Sequence, residues 1–286
     1  MTQSNAASFS VPLDGGGLSG ATRVYFIVGD PIAQVRSPAD VTAALRAAGR
    51  DAVVVPAHVQ AVDLPAFFAC VTQMHNVDGV IITVPHKFNA ARYCAGLTDE
   101  AKFLSAVNTL RRQADGSWYG GMFDGTGLVA ALGDAGCDLR GQRALLVGAG
   151  GAGSAIGLAL VSAGAVSLTV HDNDATRSAA LVSSLSALFP RKVRVAAPDG
   201  GGLEAYHVVV NASPAGMHPD DPLPVDVSRL PSTTFVGDVV TKPPLTPLIE
   251  AARSRGCVTV TGTQMFGRVC DRMVQFLLDA PAQKSQ

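Results

Sequence analysis

The chain has 286 residues with 48% hydrophobic and 16% charged side chains, enough apolar material for one large domain or two modest ones, each with its own core. Lys+Arg 22 against Asp+Glu 23 gives a formal net charge of -1, which excludes the broad basic field that attracts nucleic acid or an anionic membrane surface. No apolar run approaches the roughly 20 residues of a membrane-spanning helix, and five cysteines without a Cys-x-x-Cys pair fit reduced thiols in a cytoplasmic setting.

Residues 1–20 are polar and Gly-rich, with neither a charged start nor an apolar core, and read as a disordered leader and not as a signal peptide. Residues 24–28 form an apolar strand that ends in the turn Gly29-Asp30-Pro31. Ser37 as N-cap and Pro38 at the first helical position predict a helix to about Ala48, closed by Gly49. A second strand covers 52–56, Asp63 caps a helix from Leu64 to about Met74, and a third strand over 79–84 is stopped by Pro85. This alternation implies a small parallel sheet with helices on its faces. Ligand groups then gather beyond the carboxyl ends of the strands, where Ser37, Thr83 and Lys87 fall.

Segments 106–112 and 117–120 read as a hairpin around Asp115-Gly116, and 121–125 leads into a helix ending near Gly133, the hinge into a second domain. The strand 143–147 runs directly into Gly148-x-Gly150-x-x-Gly153, followed by a helical pattern through Val161. In that spacing the first glycine allows the turn, the second leaves room for a pyrophosphate, and the third lets helix and strand approach; the helix N-terminus offers N–H groups to the anion. The next strand, 167–171, delivers Asp172, which accepts both ribose hydroxyls of the adenosine and repels a 2′-phosphate, so the expected cofactor is NAD. Asp172 also suits a cap for the helix over 175–188.

Further strands are expected at 193–196, 207–210 and 234–237. The segment Asn211-Ala212-Ser213-Pro214-Ala215-Gly216-Met217 then reads either as a rigid loop over the nicotinamide or as a plain surface turn. A helix follows Pro247, a strand covers 258–260, and the last helix, 264–278, carries Met265, Val269, Met273 and Phe276 along one side. Such a helix can complete the second domain or fold back on the first. Taken alone, Lys87 is a helix-start surface lysine, Asp124 a cap and Asn108 a turn-former. The six histidines, His86 included, have no metal-ligand rhythm.

Together, several separated segments resemble the shikimate/quinate dehydrogenase family. They are Gly29-Asp30-Pro31-Ile32-Ala33 with Ser37-Pro38, Thr83-Val84-Pro85-His86-Lys87, Ala106-Val107-Asn108-Thr109, Asp124-Gly125-x-Gly127, Gly148-Ala149-Gly150-Gly151-Ala152, the stretch from Asn211 to Met217, and Gly237-Asp238 with Thr246-Pro247-Leu248. The resemblance implies a two-domain α/β architecture with a cleft between the domains. The N-terminal substrate domain has a mainly parallel sheet and covers 21–124, completed by 264–286; the C-terminal Rossmann-type NAD-binding domain covers 125–263. It implies Lys87 and Asp124 as the catalytic pair, and Ser37, Thr83 and Asn108 as substrate contacts. On the cofactor side it implies Gly148, Ala149, Gly150, Gly151, Ala152 and Gly153 around the phosphates, with Asn211, Ser213, Met217 and Gly262 near the nicotinamide. The implied protein is a dehydrogenase of a small-molecule alcohol, a monomer or homodimer.

The departures from the family pattern cluster in the pocket. Val35 stands where a carboxylate-binding serine is usual, after Gln34 where histidine is usual. Ile81 replaces an asparagine, Met122-Phe123 an Asn-Thr pair, Thr241 a tyrosine and Val269 a glutamine. Each unmatched buried polar group costs about 1–3 kcal/mol. Val35, Phe123 and Val269 therefore predict a substrate-binding pocket more apolar than shikimate requires, unless Arg36, Arg268 or Arg272 supplies a new contact. The expected function is NAD-dependent interconversion of a compact or cyclic secondary alcohol and its ketone. The alternatives are an ordinary shikimate or quinate dehydrogenase and a non-catalytic NAD-dependent sensor.

Overall fold

Apolar runs separated by Gly and Pro turns fold into two six-stranded sheets with helices packed on them. The computed structural model describes residues 18–196, 202–218 and 220–279. The leader read at 1–20 lies outside the described residues through position 17, as does the tail from 280.

In the first half, β1 (Arg23–Gly29), α1 (Ser37–Ala47), β2 (Ala52–His58), α2 (Leu64–Thr72) and β3 (Val77–Ile82) follow the expected alternation. Then come α3 (Lys87–Ala90), β4 (Gly96–Leu97), α4 (Asp99–Leu104), and the hairpin of β5 (Thr109–Arg112) and β6 (Trp118–Gly121). The sheet order is β2-β1-β3-β5-β6-β4; β1 is parallel to β2 and β3, and β5 is antiparallel to β3 and β6.

The helix α5 (Asp124–Asp134) leads to the second sheet. Its elements are β7 (Arg143–Val147), α6 (Gly151–Ser162), β8 (Ser167–His171), α7 (Ala175–Leu188), β9 (Val193–Val195), β10 (Val208–Asn211), β11 (Phe235–Asp238), α8 (Pro247–Ser254) and β12 (Val258–Val260). All of its pairings are parallel, in the order β12-β11-β10-β7-β8-β9. Strand order reverses between β7 and β10, which opens a crevice at their carboxyl ends. The chain closes with α9 (Gly262–Leu278), whose N-cap Thr261 and Gln264 form a capping box. No helix among the described residues is long and apolar enough to cross a membrane.

The two halves meet through α5, which packs against both α6 and α9. Two glycines make this possible. A Cβ on Gly125 would collide with the Ala155 carbonyl of α6, and one on Gly127 would strike Val269 of α9, 2.9 Å from its backbone nitrogen. The helix α9 also packs on α1 and β5, so it folds back on the first sheet.

Four local expectations are corrected. Ser37 is the first residue of α1 and not its N-cap; Arg36 takes the cap position and its Nε donates to Asp40 at 2.9 Å. Asp63 sits at the start of α2 without a side-chain cap bond, and the helix stops at Thr72 because Arg112 takes the carbonyls of Val71, Thr72 and Met74. The strand β3 ends at Ile82, since Val84 is exposed and Pro85 has no N–H for the ladder. Asp174, not Asp172, caps α7, accepting from the Thr176 N–H at 2.9 Å.

Gly125→Ala adds a methyl group against a backbone carbonyl that cannot swing aside. It should destabilise the protein by about 2–3 kcal/mol despite alanine's better helix propensity, read as a lower urea midpoint at unchanged slope.

Candidate active site

Three helix starts converge on one lysine. Lys87 is the first residue of α3, Asp124 the first of α5, and Gly151 the first of α6. The Lys87 Nζ is ion-paired with Asp124 Oδ2, and the two side chains are only 13% and 10% exposed. Asp124 Oδ1 accepts from Asn108 Nδ2 at 2.9 Å. Asn108 Oδ1 in turn accepts from the Phe123 N–H at 3.2 Å and from Thr109 Oγ1 at 3.1 Å, which fixes the orientation of the amide. The Lys87 carbonyl accepts from the Val107 N–H at 2.9 Å. Asp124, although at a helix start, spends its carboxylate on Lys87 and Asn108 and makes no cap bond.

Thr83 follows β3, with its methyl against Gly29. Ser37 is buried at the start of α1. Both lie beyond strand ends of the first sheet, as the topology predicts. Val35 is half-buried against the core. Phe123 turns its ring onto Phe276 of α9, with centroids 5.1 Å apart, and Val269 is buried on Gly127. These two side chains are engaged in helix packing. Of the arginines considered as replacement contacts, Arg36 pairs with Asp40 and Arg268 with Asp134 at 2.6 Å. His86 is fully buried, with its Nε2 2.7 Å from the Val59 carbonyl.

Across the crevice, Gly148 has φ +101°, a left-handed conformation that glycine alone adopts freely, and its Cα faces the Ala212-Ser213 backbone. A Cβ on Gly150 would meet open space, while one on Gly153 would hit the Gly148 carbonyl. This is room for an anion directly before the start of a 12-residue helix. The turn thus fits a pyrophosphate. Asp172 Oδ2 accepts from the Ala149 N–H at 2.7 Å and Oδ1 from the Asp174 N–H at 2.8 Å, so the carboxylate clamps the turn and keeps lone pairs for hydroxyls.

The loop after β10 is built on a carboxyl group that sequence reasoning did not single out as a site residue. Fully buried Asp238 accepts from Asn211 Nδ2 at 3.1 Å, from the Val240 N–H at 3.0 Å and from Thr246 Oγ1 at 2.6 Å. Burial raises this carboxyl above its usual range, and the hydrogen bonds it accepts, from Thr246 first, offset only part of that rise. Asn211 Oδ1 then holds Ser213 through both its N–H and its Oγ. Met217, at the far end of the loop, is 39% exposed. Gly262 opens α9 so close to Val240 that a Cβ would strike its carbonyl. The available signal was an acid ending an apolar strand, eight residues before a Thr-Pro helix start.

The family model for the shikimate dehydrogenase substrate binding domain matches residues 27–110. A shikimate dehydrogenase (NADP(+)) of Acidiphilium cryptum is 36% identical over 249 residues, covering 87% of each chain. One from an Anaeromyxobacter species is 37% identical over 261 residues, covering 88% of this chain and 89% of its own. Among solved structures, quinate dehydrogenase from Corynebacterium glutamicum in complex with NAD matches with TM-score 0.80 at 29% identity over 90% of this chain and 93% of its own. Shikimate 5-dehydrogenase from Listeria monocytogenes, with shikimate and NAD, matches with TM-score 0.82 at 26% identity over 92% and 94%.

Asp238→Ala strands the Asn211, Val240 and Thr246 donors inside the protein. It should lower stability by about 3 kcal/mol, with amide hydrogen exchange rising first in residues 211–217.

Proposed function

The chain belongs to the shikimate dehydrogenase family, and on that premise we propose that it interconverts a compact or cyclic secondary alcohol and its ketone with NAD. The chain is a shikimate/quinate dehydrogenase-like oxidoreductase acting on CH–OH. What supports this chemistry is the Lys87–Asp124–Asn108 chain lying against the start of the helix that follows the glycine turn. In this reading residues 21–124 with the helix from 264 hold the substrate, and 125–263 hold the dinucleotide.

A bound nicotinamide dinucleotide supplies the hydride acceptor. Lys87, when uncharged, takes the hydroxyl proton during oxidation, and its ammonium form returns a proton to the carbonyl oxygen during reduction. Asp124 holds Lys87 in place and can accept from the reacting hydroxyl. Asn108 keeps one carboxylate oxygen occupied, so the other faces the lysine. Thr83 and Ser37 are neutral donors for the substrate's remaining oxygens.

Asp172 supports NAD over NADP. Its carboxylate is fixed at the end of β8 by two backbone N–H groups, where a 2′-phosphate would meet a like charge. The quinate dehydrogenase neighbour carries NAD, whereas the curated relatives are named for NADP(+). The substrate is proposed to bear fewer hydroxyls than shikimate because half-buried Val35 offers no side-chain hydrogen bond beyond the end of β1, whereas Ile81, Met122 and Val269 are buried in the core and Phe123 packs on Phe276. The retained Ser37, Thr83 and Asn108 favour shikimate or quinate itself as the second reading.

Lys87→Met and Asp124→Asn should each retain dinucleotide affinity while turnover falls by more than about 100-fold. Near-normal turnover in both would remove them from the chemistry. A panel of ring alcohols differing in hydroxyls and carboxylate, followed by NADH formation at neutral and alkaline pH, decides the substrate. A kcat/KM for shikimate well above that for less hydroxylated members selects the second reading. Asp172→Ser should weaken NAD and bring the NAD/NADP preference toward unity, by roughly tenfold for about 1.4 kcal/mol of lost discrimination.

A further inference from the structure

Gly151 stands outside the Gly148, Gly150 and Gly153 spacing whose roles the turn accounts for. Its φ lies outside the left-handed region, so its backbone does not require glycine. It is the first residue of a regular helix, where alanine would favour the helix more. The three atoms nearest to a Cβ there, outside the helix's own backbone, are carbons of one side chain: Lys87 Cβ and Cδ, both at 3.1 Å, and Cγ at 3.6 Å.

The lysine stem therefore lies lengthwise across a bare Cα of the phosphate-binding helix. It is restrained at both ends, at its carbonyl by the Val107 N–H and at Nζ by Asp124. A side chain at the helix start presses on this stem at 3.1 Å, so the stem has to give by a few tenths of an ångström while both of its ends are held. Resting on the dehydrogenase reading above, we propose that Gly151 is a positioning residue for Lys87. Its missing side chain lets the helix that receives the dinucleotide phosphates bear directly on the lysine, so that seating the cofactor and aiming the amine are one mechanical event. This role of the missing side chain comes in addition to the place of the Gly151 backbone in the phosphate turn, whose open face is at Gly150.

The test compares Gly151→Ala, Gly150→Ala, Lys87→Met and the Gly151→Ala/Lys87→Met double variant, with NADH affinity measured by fluorescence and steady-state kinetics on the best alcohol. Gly151→Ala should keep the NADH Kd and the alcohol KM within about threefold while kcat falls about tenfold or more, the loss expected for a misplaced catalytic group. Gly150→Ala should instead raise Kd. In the Lys87→Met background, Gly151→Ala should lower the residual kcat by less than about twofold, because its effect runs through the lysine.

A Gly151→Ala kcat within about twofold of wild type, or a rise in Kd that accounts for the whole loss, overturns the proposal and leaves the dehydrogenase reading standing. If the wild-type chain turns over no alcohol, that reading fails, and positioning is read without turnover. Lys87, displaced from Asp124, should then be acetylated by acetic anhydride about threefold faster or more in Gly151→Ala than in wild type, by peptide mass spectrometry; equal rates overturn the proposal.

Discussion

The ion pair between Lys87 and Asp124 is the constraint on which the rest of the site depends. Two charges this far from water are stable only when paired and hydrogen-bonded, and removing one leaves the other desolvated. The pairing is set by strand register as much as by the charges. Thr109 lies opposite Gly121 in the β5–β6 hairpin, and the Asn108 N–H donates to the Gly121 carbonyl at 2.9 Å. That register brings Asn108 beside the start of α5, where its amide meets Asp124. A slip of one residue in the hairpin would turn Asn108 to the other face and dissolve the site.

The same ion pair lies at the start of α5, through which the two halves meet, and small residues decide how closely the helices there approach. The helix α5 touches α6 at Gly125 and α9 at Gly127, so one Asp-Gly-x-Gly segment supplies both the carboxylate and the two bare surfaces that let neighbouring helices reach it. Lys87 reaches Asp124 across Gly151 by the same device. Chemistry and packing share these residues. Substitutions in this segment are therefore expected to mix stability and activity effects, whereas those at Asp238 act on the loop across the crevice.

Much of this was legible in the sequence, and the failures have physical causes. Strands of the second sheet were read within a residue or two because buried parallel strands are nearly continuous apolar runs, and α7 was read to its ends. The hairpin showed itself through Asp115-Gly116. The short elements α3, β4 and α4 were missed, although Thr98 caps α4 and Asp99 and Glu100 occupy its first turn; six residues give too little periodicity to notice. Ser37-Pro38 has the pattern of a cap and a first turn, but Ser37 is buried as the first residue of the helix and the cap position falls to Arg36. Among site residues, motif order picked out Lys87, Asp124 and Asn108, while the positions of Phe123 and Val269 depended on helix packing that no motif encodes. Asp238, although it stands with Thr246 among the family segments, does not read as a site residue in the sequence, because its bond to Asn211 joins positions 27 residues apart that only strand pairing brings together.

Two carboxylates at strand ends of the second sheet illustrate how environment divides labour. Asp238 is enclosed and meets only donors, so it holds a loop together and has nothing left for a ligand. Asp172 is half-exposed, and its partners are two backbone N–H groups, one of them in the glycine turn itself. It therefore cannot rotate out of a ligand's way without releasing Ala149 and loosening the turn that receives the phosphates. Any nucleotide whose ribose carried an extra phosphate would have to break that clamp or sit against its charge. In the proposed function, one side chain thus sets both discrimination at the ribose and the shape of the glycine turn, just as the proposed aim of the lysine depends on the absence of one.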